Sequence, residues 1–534
     1  MCGILAMFTH HHAGNDKFRR IVYNGMSAIQ HRGQDGYGLI ILGGSKNSTI
    51  IKKAGLLPEY GDAFKDVELD TVVLGHMRYS TNTVSEKDSC SAAAVVNSIQ
   101  PIEINKSCDM YLAHNGNLPN LHRNIKRLGL ESYYPSGASD TFIFKAIWDK
   151  MLGEGEQEAS ICINLRLVVQ YIQQIVKSVG GAYSCVLTYS EASDEVSTPS
   201  SGTSTSNLFS SLESDSSSIT RSDSSSSSDD VGRRDYYLFG FRDRFGYKPL
   251  SIGYMAGNYC FISESVQLKD GCRLIRDVAP GEIWMIKNNE EPVMLAASSN
   301  VVSTAKPFVC SMESIYFMKC DSIIFGGATS VHNFRRRIGM ELARADIASS
   351  KKSISASAVV AYVPESAKSM ADGYAAVIGK TASDGLIVKI ENIRSFIENS
   401  DDSRIGKIKR KFAFNIDDIR KLKELVLIDD SIVRGNTMRY LIQILYEING
   451  DLRIHLRIGS PPLIKGCNFG IDLYDDELIA SKVGVANLAE YFKVASIEFL
   501  NLKSLDELFS EFGMSNCKWC FGSFDANTAS TLEW

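Results

Sequence analysis

The pattern of apolar and polar residues changes near residue 300. Upstream, short alternating runs separated by glycine turns prevail, as in TVVLGHMRYST and GNYCFISES. Downstream, fully apolar runs alternate with helical patterns, as in SASAVVAYVP, LKELVLIDD, TMRYLIQILYEI and LRIHLRIGSPP. Apolar strands separated by helices are typical of βαβ units in a parallel sheet. We therefore predict two domains, residues 2–300 and 301–534, of which the second is α/β.

One segment, at about residues 190–234, breaks this pattern. Serine and aspartate dominate it, as in SSLESDSSSITRSDSSSSSDD, and aromatic residues nearly vanish. Such a tract buries too little apolar surface to offset the entropy lost on ordering, so we predict a disordered surface loop. The apolar runs GAYSCVLTY and DYYLFGFRD on either side are predicted to be two strands that this insert connects.

Composition and net charge exclude some classes of function. The 534 residues carry a formal net charge of −5, which gives no overall attraction to nucleic acid or to membrane surfaces. No run approaches the roughly 18 uncharged apolar residues that cross a bilayer. The twelve cysteines are mostly scattered rather than framed like a disulfide scaffold. We therefore expect a cytoplasmic protein that binds neither nucleic acid nor membrane.

An acidic pair follows one of the predicted parallel strands. In LKELVLIDDSIVRGNTMRYLIQILYEI, the apolar run ends at Asp429 and Asp430, and a helix is predicted to begin near Thr437. The small and polar residues between them free backbone N–H groups at the helix N-terminus, which is a phosphate-binding geometry. Two carboxylates at the carboxyl end of a parallel strand suit Mg²⁺ or the vicinal hydroxyls of a sugar, and Arg434 suits phosphate. The alternative is a solvated strand-to-helix turn.

The chain begins MCGILAMF, with a cysteine directly behind the initiator methionine. If Met1 is removed, Cys2 carries both a thiol and an α-amino group, which makes a nucleophile with a base beside it. The alternative is that Cys2 is a small core residue in a strand, since free cysteines are often buried.

The stretch VLIDDSIVRGNT resembles the phosphoribosyl-pyrophosphate (PRPP) motif of type I phosphoribosyltransferases, most closely that of the amidophosphoribosyltransferase family. It departs at Asn436, where the family usually has threonine. The resemblance implies that PRPP is bound by Asp429, Asp430, Ser431, Val433, Arg434, Gly435, Asn436 and Thr437. It also implies a Mg²⁺ site formed by Ser330, Asp429 and Asp430.

The first half resembles the glutaminase domain of the same family. HRGQDGYG is similar to the family's HRGQDAAG, GHMRYST is similar to its GHxRYST, and AHNGNL and SDT also fall in family order. The resemblance implies that glutamine is bound by Arg32, Gly33, Arg78 and Asp140. Of these, Arg78 would pair with the substrate α-carboxylate and Asp140 with its α-ammonium.

The same resemblance implies the catalytic group and the fold. Cys2 would be the nucleophile once Met1 is removed, and Asn115 and Gly116 would form its oxyanion hole. The implied architecture combines α+β and α/β domains. It is an N-terminal αββα Ntn-hydrolase sandwich, followed by a parallel-sheet type I phosphoribosyltransferase domain.

One departure from the amidophosphoribosyltransferase pattern resembles a second family. FRDRFGYKPL lies closer to the form found in asparagine synthetases than to RDPxGIRPL of amidophosphoribosyltransferases. The second half argues against that alternative, because it has no adenylate-binding loop of the SGGxDS type. Hexosamine-forming amidotransferases share the glutaminase domain but would not carry a PRPP motif.

Four cysteines of the second half fall at motifs of a cluster-bearing branch of the family. CSMESIYF, CNFGID and CKWCFG resemble that branch's CSFEYIYF, CFYGID and CxxCFTG. The resemblance implies a structural 4Fe–4S cluster held by Cys310, Cys467, Cys517 and Cys520. A zinc site with the same four ligands, or four unliganded thiols, are the alternatives.

The resemblance is weakest at the loop that closes over PRPP. VKIENIRSFI keeps Arg394, Phe396 and Ile397 but loses the arginine and tyrosine of the family's KNRYVGRTFI. Such a loop excludes water when it closes. The alternative function is therefore a non-catalytic PRPP or nucleotide sensor.

Taken as a member of this family, the chain is expected to transfer glutamine-derived ammonia to C1 of PRPP. The products would be 5-phosphoribosylamine, pyrophosphate and glutamate, in the first committed step of purine synthesis. The implied cofactors are Mg²⁺ and the 4Fe–4S cluster, and the implied partners include feedback purine nucleotides and further copies of the chain in a homotetramer.

Overall fold

A computed structural model describes residues 1–9, 16–43, 48–64, 67, 69–79, 96, 98–153, 163–193, 234–268, 272–297, 307–349, 354–390, 411–471 and 473–523. Most of the predicted serine-rich insert, the predicted domain boundary at 300/301 and the closing-loop residues Arg394, Phe396 and Ile397 lie outside this part of the chain. None of the helices in the described ranges is long and apolar enough to cross a membrane.

The first half is built from two antiparallel sheets. Its strands are β1 (Gly3–Phe8), β2 (Gly36–Leu42), β3 (Thr49–Ala54), β4 (Val72–Arg78), β5 (Ile102–Asn105), β6 (Met110–Asn117), β7 (Ala182–Ala192), β8 (Arg234–Arg242), β9 (Ser251–Met255), β10 (Asn258–Ile262), β11 (Arg273–Asp277), β12 (Glu282–Lys287) and β13 (Val293–Ala297). One sheet has the order β11-β9-β10-β1-β4-β2-β3 and the other the order β13-β12-β8-β7-β6-β5. The helices of this half are α1 (Asp16–Ala28), α2 (Tyr60–Ala63), α3 (Leu121–Leu128), α4 (Phe142–Gly153) and α5 (Leu165–Ser178).

The alternation of side chains along β1 shows how the layers form. Ile4, Ala6 and Phe8 face the second sheet and share a core with residues of β6, β7 and β8. Leu5 and Met7 face the other way and pack with helix α1. On the far side of the second sheet, α4 and α5 cover its outer face. Because successive side chains of a strand point to opposite faces, a strand apolar on both faces must lie between two layers. The predicted αββα sandwich is confirmed.

The predicted neighbouring strands around the serine-rich insert are β7 and β8. They pair in antiparallel register from Ser184↔Arg242 to Ala192↔Arg234. Strand β7 therefore extends past the predicted start of the insert at residue 190, and β8 begins at its predicted end.

The second half contains a parallel sheet, as predicted. Its strands are β14 (Phe308–Cys310), β15 (Ile323–Ile324), β16 (Thr329–Ser330), β17 (Val359–Tyr362), β18 (Ile387–Lys389), β19 (Phe412–Phe414), β20 (Glu424–Asp429), β21 (Arg453–Ile458), β22 (Ser496–Phe499) and β23 (Ser515–Cys517). Strands β17, β20, β21 and β22 pair in parallel in that order. The helices are α6 (Val331–Ala348), α7 (Lys368–Val377), α8 (Ile416–Lys421), α9 (Asn436–Ile448), α10 (Ile479–Val483), α11 (Leu488–Phe492) and α12 (Leu502–Ser510).

Apolar cores lie on both faces of this sheet. Val426 and Ile428 of β20 pack with helices α6 and α7, whereas Leu425 and Leu427 pack with α9. A sheet covered by helices on both faces needs strands without polar alternation, which explains the continuous run ELVLI.

Candidate active sites

Cys2 lies directly before β1, the central strand of the seven-stranded sheet, and its side chain is buried. The backbone N–H of Cys2 donates to Asn115 Oδ1 at 3.1 Å. Arg32 Nε donates to the Cys2 carbonyl at 2.9 Å. The N–H of Tyr79 donates to Cys2 Sγ at 3.4 Å. The thiol is therefore held in one position at the end of the strand, next to the side chain of Asn115.

Asn115 presents an unused donor beside this thiol. Its side chain is fully buried in β6, and its Oδ1 is used by the Cys2 N–H. Its Nδ2 has no hydrogen-bond partner among the described residues. A buried amide nitrogen without a partner is costly, so this donor is suited to an oxygen that a substrate brings in.

Gly116 follows Asn115 where the backbone packs too tightly for any side chain. A Cβ at this position would lie 2.0 Å from the carbonyl oxygen of Ala182 in the neighbouring strand β7. The strand can therefore present Asn115 and the following peptide to the site only with glycine here.

Two histidines near this site do not carry charge at neutral pH. Burial lowers the pKa of His76 to about 3 and that of His114 to about 4. His76 Nε2 lies 3.2 Å from the carbonyl oxygen of His114. His76 contacts the His114 carbonyl and His114 contacts Thr141, so neither histidine hydrogen-bonds the Cys2 thiol in the described structure, and a base for this thiol is better sought in the amino group that Met1 removal would free.

The predicted glutamine-binding residues differ in how many hydrogen bonds they already make within the structure. The guanidinium of Arg78, at the end of β4, has no hydrogen-bond partner among the described residues. Asp140 Oδ2 accepts from the N–H of Leu118 at 3.1 Å. A Cβ at Gly33 would lie 2.6 Å from backbone atoms of Met77 and Arg78, so this glycine lets the loop pack against β4. Arg78 and Asp140 thus remain available as predicted ligands.

Arg32 makes contacts that its motif did not suggest. Its guanidinium is fully buried and donates to Glu264 Oε1 at 2.5 Å and to Glu313 Oε1 at 2.9 Å. Burial by itself would raise the pKa of Glu264, but the Arg32 charge and the hydrogen bond from His31 outweigh burial and lower the pKa to about 2. Arg32 therefore holds the backbone of Cys2 while its charge is balanced by carboxylates from both halves of the chain.

Sequence reasoning missed both carboxylate partners of Arg32. Glu264 lies in the stretch GNYCFISES and Glu313 in CSMESIYF, but the sequence assigned neither glutamate a role. Glu313 begins a π-helical turn, Glu313–Phe317, which directs its buried side chain towards the first half. The signal was the presence of acidic residues within otherwise apolar motifs.

The predicted PRPP loop follows β20 as expected. The strand ends at Asp429, and helix α9 begins at Asn436 behind Gly435, whose φ of +73° is the left-handed conformation that favours glycine. Ser431 Oγ donates to Asp430 Oδ1 at 2.6 Å, and Ser366 Oγ donates to Asp430 Oδ2. The hydroxyl groups orient the second carboxylate of the pair.

Neither carboxylate forms an ion pair within the part of the chain that the structure describes, although the charges of Lys411 and Arg335 act on the pair from a distance. Burial and the neighbouring charge of Asp430 raise the pKa of Asp429 well above its usual range, and burial also raises that of Asp430. Adjacent carboxylates with raised pKa values repel each other when both are ionised, so a divalent cation would stabilise the ionised pair. The donor set fits Mg²⁺ in its chemistry.

Two other predicted ligands are engaged elsewhere in the structure. Ser330 Oγ accepts from the N–H of Asn333 at 3.1 Å and caps helix α6. Arg434 donates to both carboxylate oxygens of Glu477, at 2.5 and 2.6 Å, near the surface. Their roles in binding Mg²⁺ and phosphate stay predictions.

The four cysteines named from the sequence converge from three segments. Cys310 and Cys517 are register partners in the parallel pair β14 and β23. Burial raises the pKa of Cys520 well above its usual range, and the charges of Cys517, Cys467 and Cys310 raise it further. All four are free cysteines, and Cys467 is the least buried of them. The structure therefore places Cys310 beside Cys517, the first cysteine of the C-x-x-C.

Aromatic rings from both halves pack with Cys467 and Cys517 in one apolar cluster. Tyr247 of the first half stacks on Phe469 with ring centroids 4.6 Å apart, and its ring contacts Phe308 at 5.0 Å. Phe469 in turn contacts Trp519 at 5.9 Å. Each segment that carries a cysteine thus contributes an aromatic side chain to one apolar cluster.

No group of three or more His, Cys, Asp or Glu side chains is arranged to hold a metal ion in the part of the chain that the structure describes. The four thiols match a four-thiolate centre in donor type and number. The four sulfur atoms are the donors that such a centre needs, and they would have to move closer together to bind its metal.

The chain matches curated amidophosphoribosyltransferases over nearly its whole length. It is 30% identical over 510 residues to the enzyme of Pyrococcus horikoshii, covering 93% of this chain and 91% of that protein. It is 29% identical over 515 residues to that of Archaeoglobus fulgidus, covering 95% and 93%. It is also 28% identical over 533 residues to that of Bacillus subtilis, covering 98% and 93%.

A solved structure with the same architecture is the glutamine PRPP amidotransferase of B. subtilis complexed with ADP and GMP. The two share a TM-score of 0.71 and 26% identity, covering 98% of this chain and 97% of that one. No protein-family model matches the sequence.

Proposed function

The chain belongs to the amidophosphoribosyltransferase family, and on that premise we propose that it transfers ammonia from glutamine to PRPP through two separate sites. The observation that carries the proposal is the pairing of the Cys2 site with a PRPP loop in one chain. Cys2 lies beside the unused Nδ2 donor of Asn115, and the acidic pair Asp429–Asp430 lies at the end of a parallel strand.

The first site would hydrolyse glutamine. After removal of Met1, the amino group of Cys2 stays within reach of Asn115 Oδ1, where its N–H now lies at 3.1 Å. This amine takes the thiol proton, and the thiolate attacks the side-chain carbonyl of glutamine. Asn115 Nδ2 and the backbone of Gly116 stabilise the oxyanion that forms. The proton then passes to the leaving ammonia, and water hydrolyses the thioester to glutamate.

Glutamine would be oriented by the two groups that the structure leaves available. Arg78 pairs with the α-carboxylate and Asp140 with the α-ammonium, so that the side-chain amide points towards Cys2. Arg32 would act indirectly, because its guanidinium holds the Cys2 carbonyl rather than the substrate.

The second site would bind PRPP at the start of helix α9. The helix N-terminus and the loop from Ser431 to Thr437 provide N–H groups for the 5′-phosphate. Asp429 and Asp430 orient the ribose and hold Mg²⁺, with Ser330 as a further candidate ligand. When bound, Mg²⁺ stabilises the charge of the pyrophosphate leaving group.

The metal centre and the regulators are proposed on the same basis. Cys310, Cys467, Cys517 and Cys520 would hold a 4Fe–4S cluster, which joins the last described segment to the body of the second half. We expect feedback control by purine nucleotides, since the B. subtilis relative is described as complexed with ADP and GMP. We also expect a homotetramer in the cytoplasm.

The test is pyrophosphate release from PRPP by the purified protein with Mg²⁺ and either glutamine or ammonium as nitrogen donor. We expect release with both donors and equimolar glutamate with the first. PRPP binding without pyrophosphate release from either donor would favour the non-catalytic sensor instead.

A further inference from the structure

Two carboxylates share one buried arginine at the junction of the two halves. The side chains of Arg32 and Glu264 are fully buried, and that of Glu313 is 4% exposed. Glu264 accepts from Arg32 Nη1 at 2.5 Å and would by itself neutralise the arginine. Because burying a second carboxylate costs desolvation free energy, neutralisation of charge does not explain why Glu313 is there.

The two carboxylates differ in what else they bind. Glu264 Oε2 accepts from the N–H of Lys319 at 3.0 Å and from Ser322 Oγ at 2.8 Å. The carboxylate of Glu313 binds Arg32 alone within the described ranges. Any effect of the Glu313 side chain on the rest of the molecule is therefore expected to pass through Arg32.

Glu313 also fixes the orientation of Arg32 more strictly than Glu264 does. Arg32 Nη1 and Nη2 donate to Oε2 and Oε1 of Glu313 at 3.1 and 2.9 Å, whereas Glu264 accepts from Nη1 only. A two-pronged pair fixes the plane of a guanidinium group, and a single hydrogen bond does not. With that plane fixed, Arg32 Nε donates to the Cys2 carbonyl oxygen at 2.9 Å.

The turn that carries Glu313 is itself held in place by the second half. The π-helical turn Glu313–Phe317 is followed by Met318, whose N–H donates to the Glu313 carbonyl oxygen at 2.9 Å. The buried Arg335 of helix α6 donates to Ser314 O at 2.9 Å and to Met318 O at 2.8 Å. The second half therefore presents Glu313 as a fixed point for the first.

We propose that Glu313 is a positioning residue for the glutaminase reaction, and that it holds the Cys2 nucleophile in place through Arg32 from the other half of the chain. The inference rests on the proposed role of Cys2. Glu313 fixes the Arg32 Nε–H, and this N–H fixes the peptide between Cys2 and β1. Since the nitrogen of Cys2 is held by Asn115, the nucleophile is held on both sides. Misplacing a reacting group by about 1 Å costs about 100-fold in rate.

The test compares Glu313→Gln with the wild-type chain. Glutamine keeps the shape of the side chain, but its amide nitrogen cannot accept, so one of the two bonds to Arg32 is lost. Four quantities are measured: kcat and KM for glutamine hydrolysis, pyrophosphate release with ammonium, and the rate at which iodoacetamide alkylates Cys2, followed by peptide mass. Glu282→Gln is the matched control, because Glu282 is 12% exposed and accepts from Arg276 at 3.0 and 3.1 Å within the first half.

Glu313→Gln is expected to separate the measured quantities. The kcat for glutamine should fall roughly 10- to 100-fold. Its KM should stay near the wild-type value, since the proposed ligands Arg78 and Asp140 are unchanged, and release with ammonium should also be unchanged. Alkylation of Cys2 should become faster, because a residue that is held less firmly exposes its buried thiol more often. Glu282→Gln should leave all four quantities at their wild-type values.

Arg32→Lys tests whether Glu313 acts through Arg32. A lysine has one nitrogen and cannot reproduce the fork that holds the Cys2 carbonyl and the carboxylate together. Adding Glu313→Gln to Arg32→Lys should therefore lower kcat by no more than about a further twofold. Fully additive losses would show that Glu313 acts by another route and would overturn the inference.

A kcat for Glu313→Gln within about twofold of wild type would also overturn the inference. So would equal losses with glutamine and with ammonium, which is what a general loss of stability gives. Wild-type protein that hydrolyses no glutamine would overturn the proposed function instead. In that case the alkylation of Cys2 still tests the inference, and equal alkylation rates in wild type and Glu313→Gln would overturn it.

Discussion

At the residue scale, the two polar atoms of the Asn115 side chain have separate tasks. Oδ1 holds the N–H of Cys2, and Nδ2 is left for an incoming oxygen. The sequence led to both Cys2 and Asn115 through their motifs, because a cysteine directly behind the initiator methionine and the stretch AHNGNL are local patterns. It did not lead to the Arg32 contacts, because Glu264 and Glu313 lie 232 and 281 residues away along the chain.

Asn115→Asp separates these two tasks. The substitution keeps the acceptor for the Cys2 amine but removes the donor, so glutamine-dependent turnover should fall by about 10²–10³-fold. Ammonium-dependent turnover should stay near the wild-type value, since the second site is unchanged. Initial rates with each donor measure this, and Asn115→Ala serves as the companion variant. Full glutamine-dependent activity in Asn115→Asp would show that Nδ2 is not an oxyanion donor.

At the scale of elements, the unit from β20 through the loop to α9 explains the acidic pair. The predicted order of apolar strand, carboxylates, glycine and helix is observed, with the helix beginning at Asn436, one residue before the predicted start. Local pattern was sufficient here because the strand is apolar on both faces and the loop needs a left-handed glycine. The engagement of Arg434 with Glu477 could not be predicted, since it depends on how a distant turn folds back over the loop.

The raised pKa values of Asp429 and Asp430 predict how this element responds to pH. At pH values above the usual pKa of aspartate, the folded chain binds more protons at this pair of carboxylates than the unfolded chain does. The free energy of unfolding of the metal-free protein should therefore fall as the pH rises through the raised pKa values. Added Mg²⁺ with PRPP should restore it, by about 2.7 kcal/mol when the ligand is 100-fold above its Kd.

The variant Asp429→Asn with Asp430→Asn tests the same element. It should lose PRPP turnover with either nitrogen donor, lose stabilisation by Mg²⁺ with PRPP, and melt above the metal-free wild type at neutral pH. Asp417→Asn with Asp418→Asn is the control, because these adjacent carboxylates are 85% and 59% exposed. Unchanged PRPP turnover in the first variant would make the acidic pair a solvated turn.

At the scale of the whole molecule, one set of contacts between the halves lies at the N-terminus. Arg32 binds the Cys2 carbonyl and is shared by Glu264 of the first half and Glu313 of the second. Met1 packs within the core of the second half. The sequence indicated two domains of different class from their hydrophobic periodicity. It could not indicate this junction, because the paired charges come from motifs 232 and 281 residues apart along the chain.

The central claim is that glutamine hydrolysis and transfer to PRPP occupy separate sites of one chain. The most direct measurement compares pyrophosphate release by wild type, Cys2→Ser and the control Cys272→Ser, each with glutamine and with ammonium. Intact mass first establishes that Met1 has been removed. The account predicts that Cys2→Ser loses release with glutamine and keeps it with ammonium, while Cys272→Ser behaves as wild type. Loss of both activities in a folded Cys2→Ser protein, or retention of the glutamine-dependent one, would contradict it.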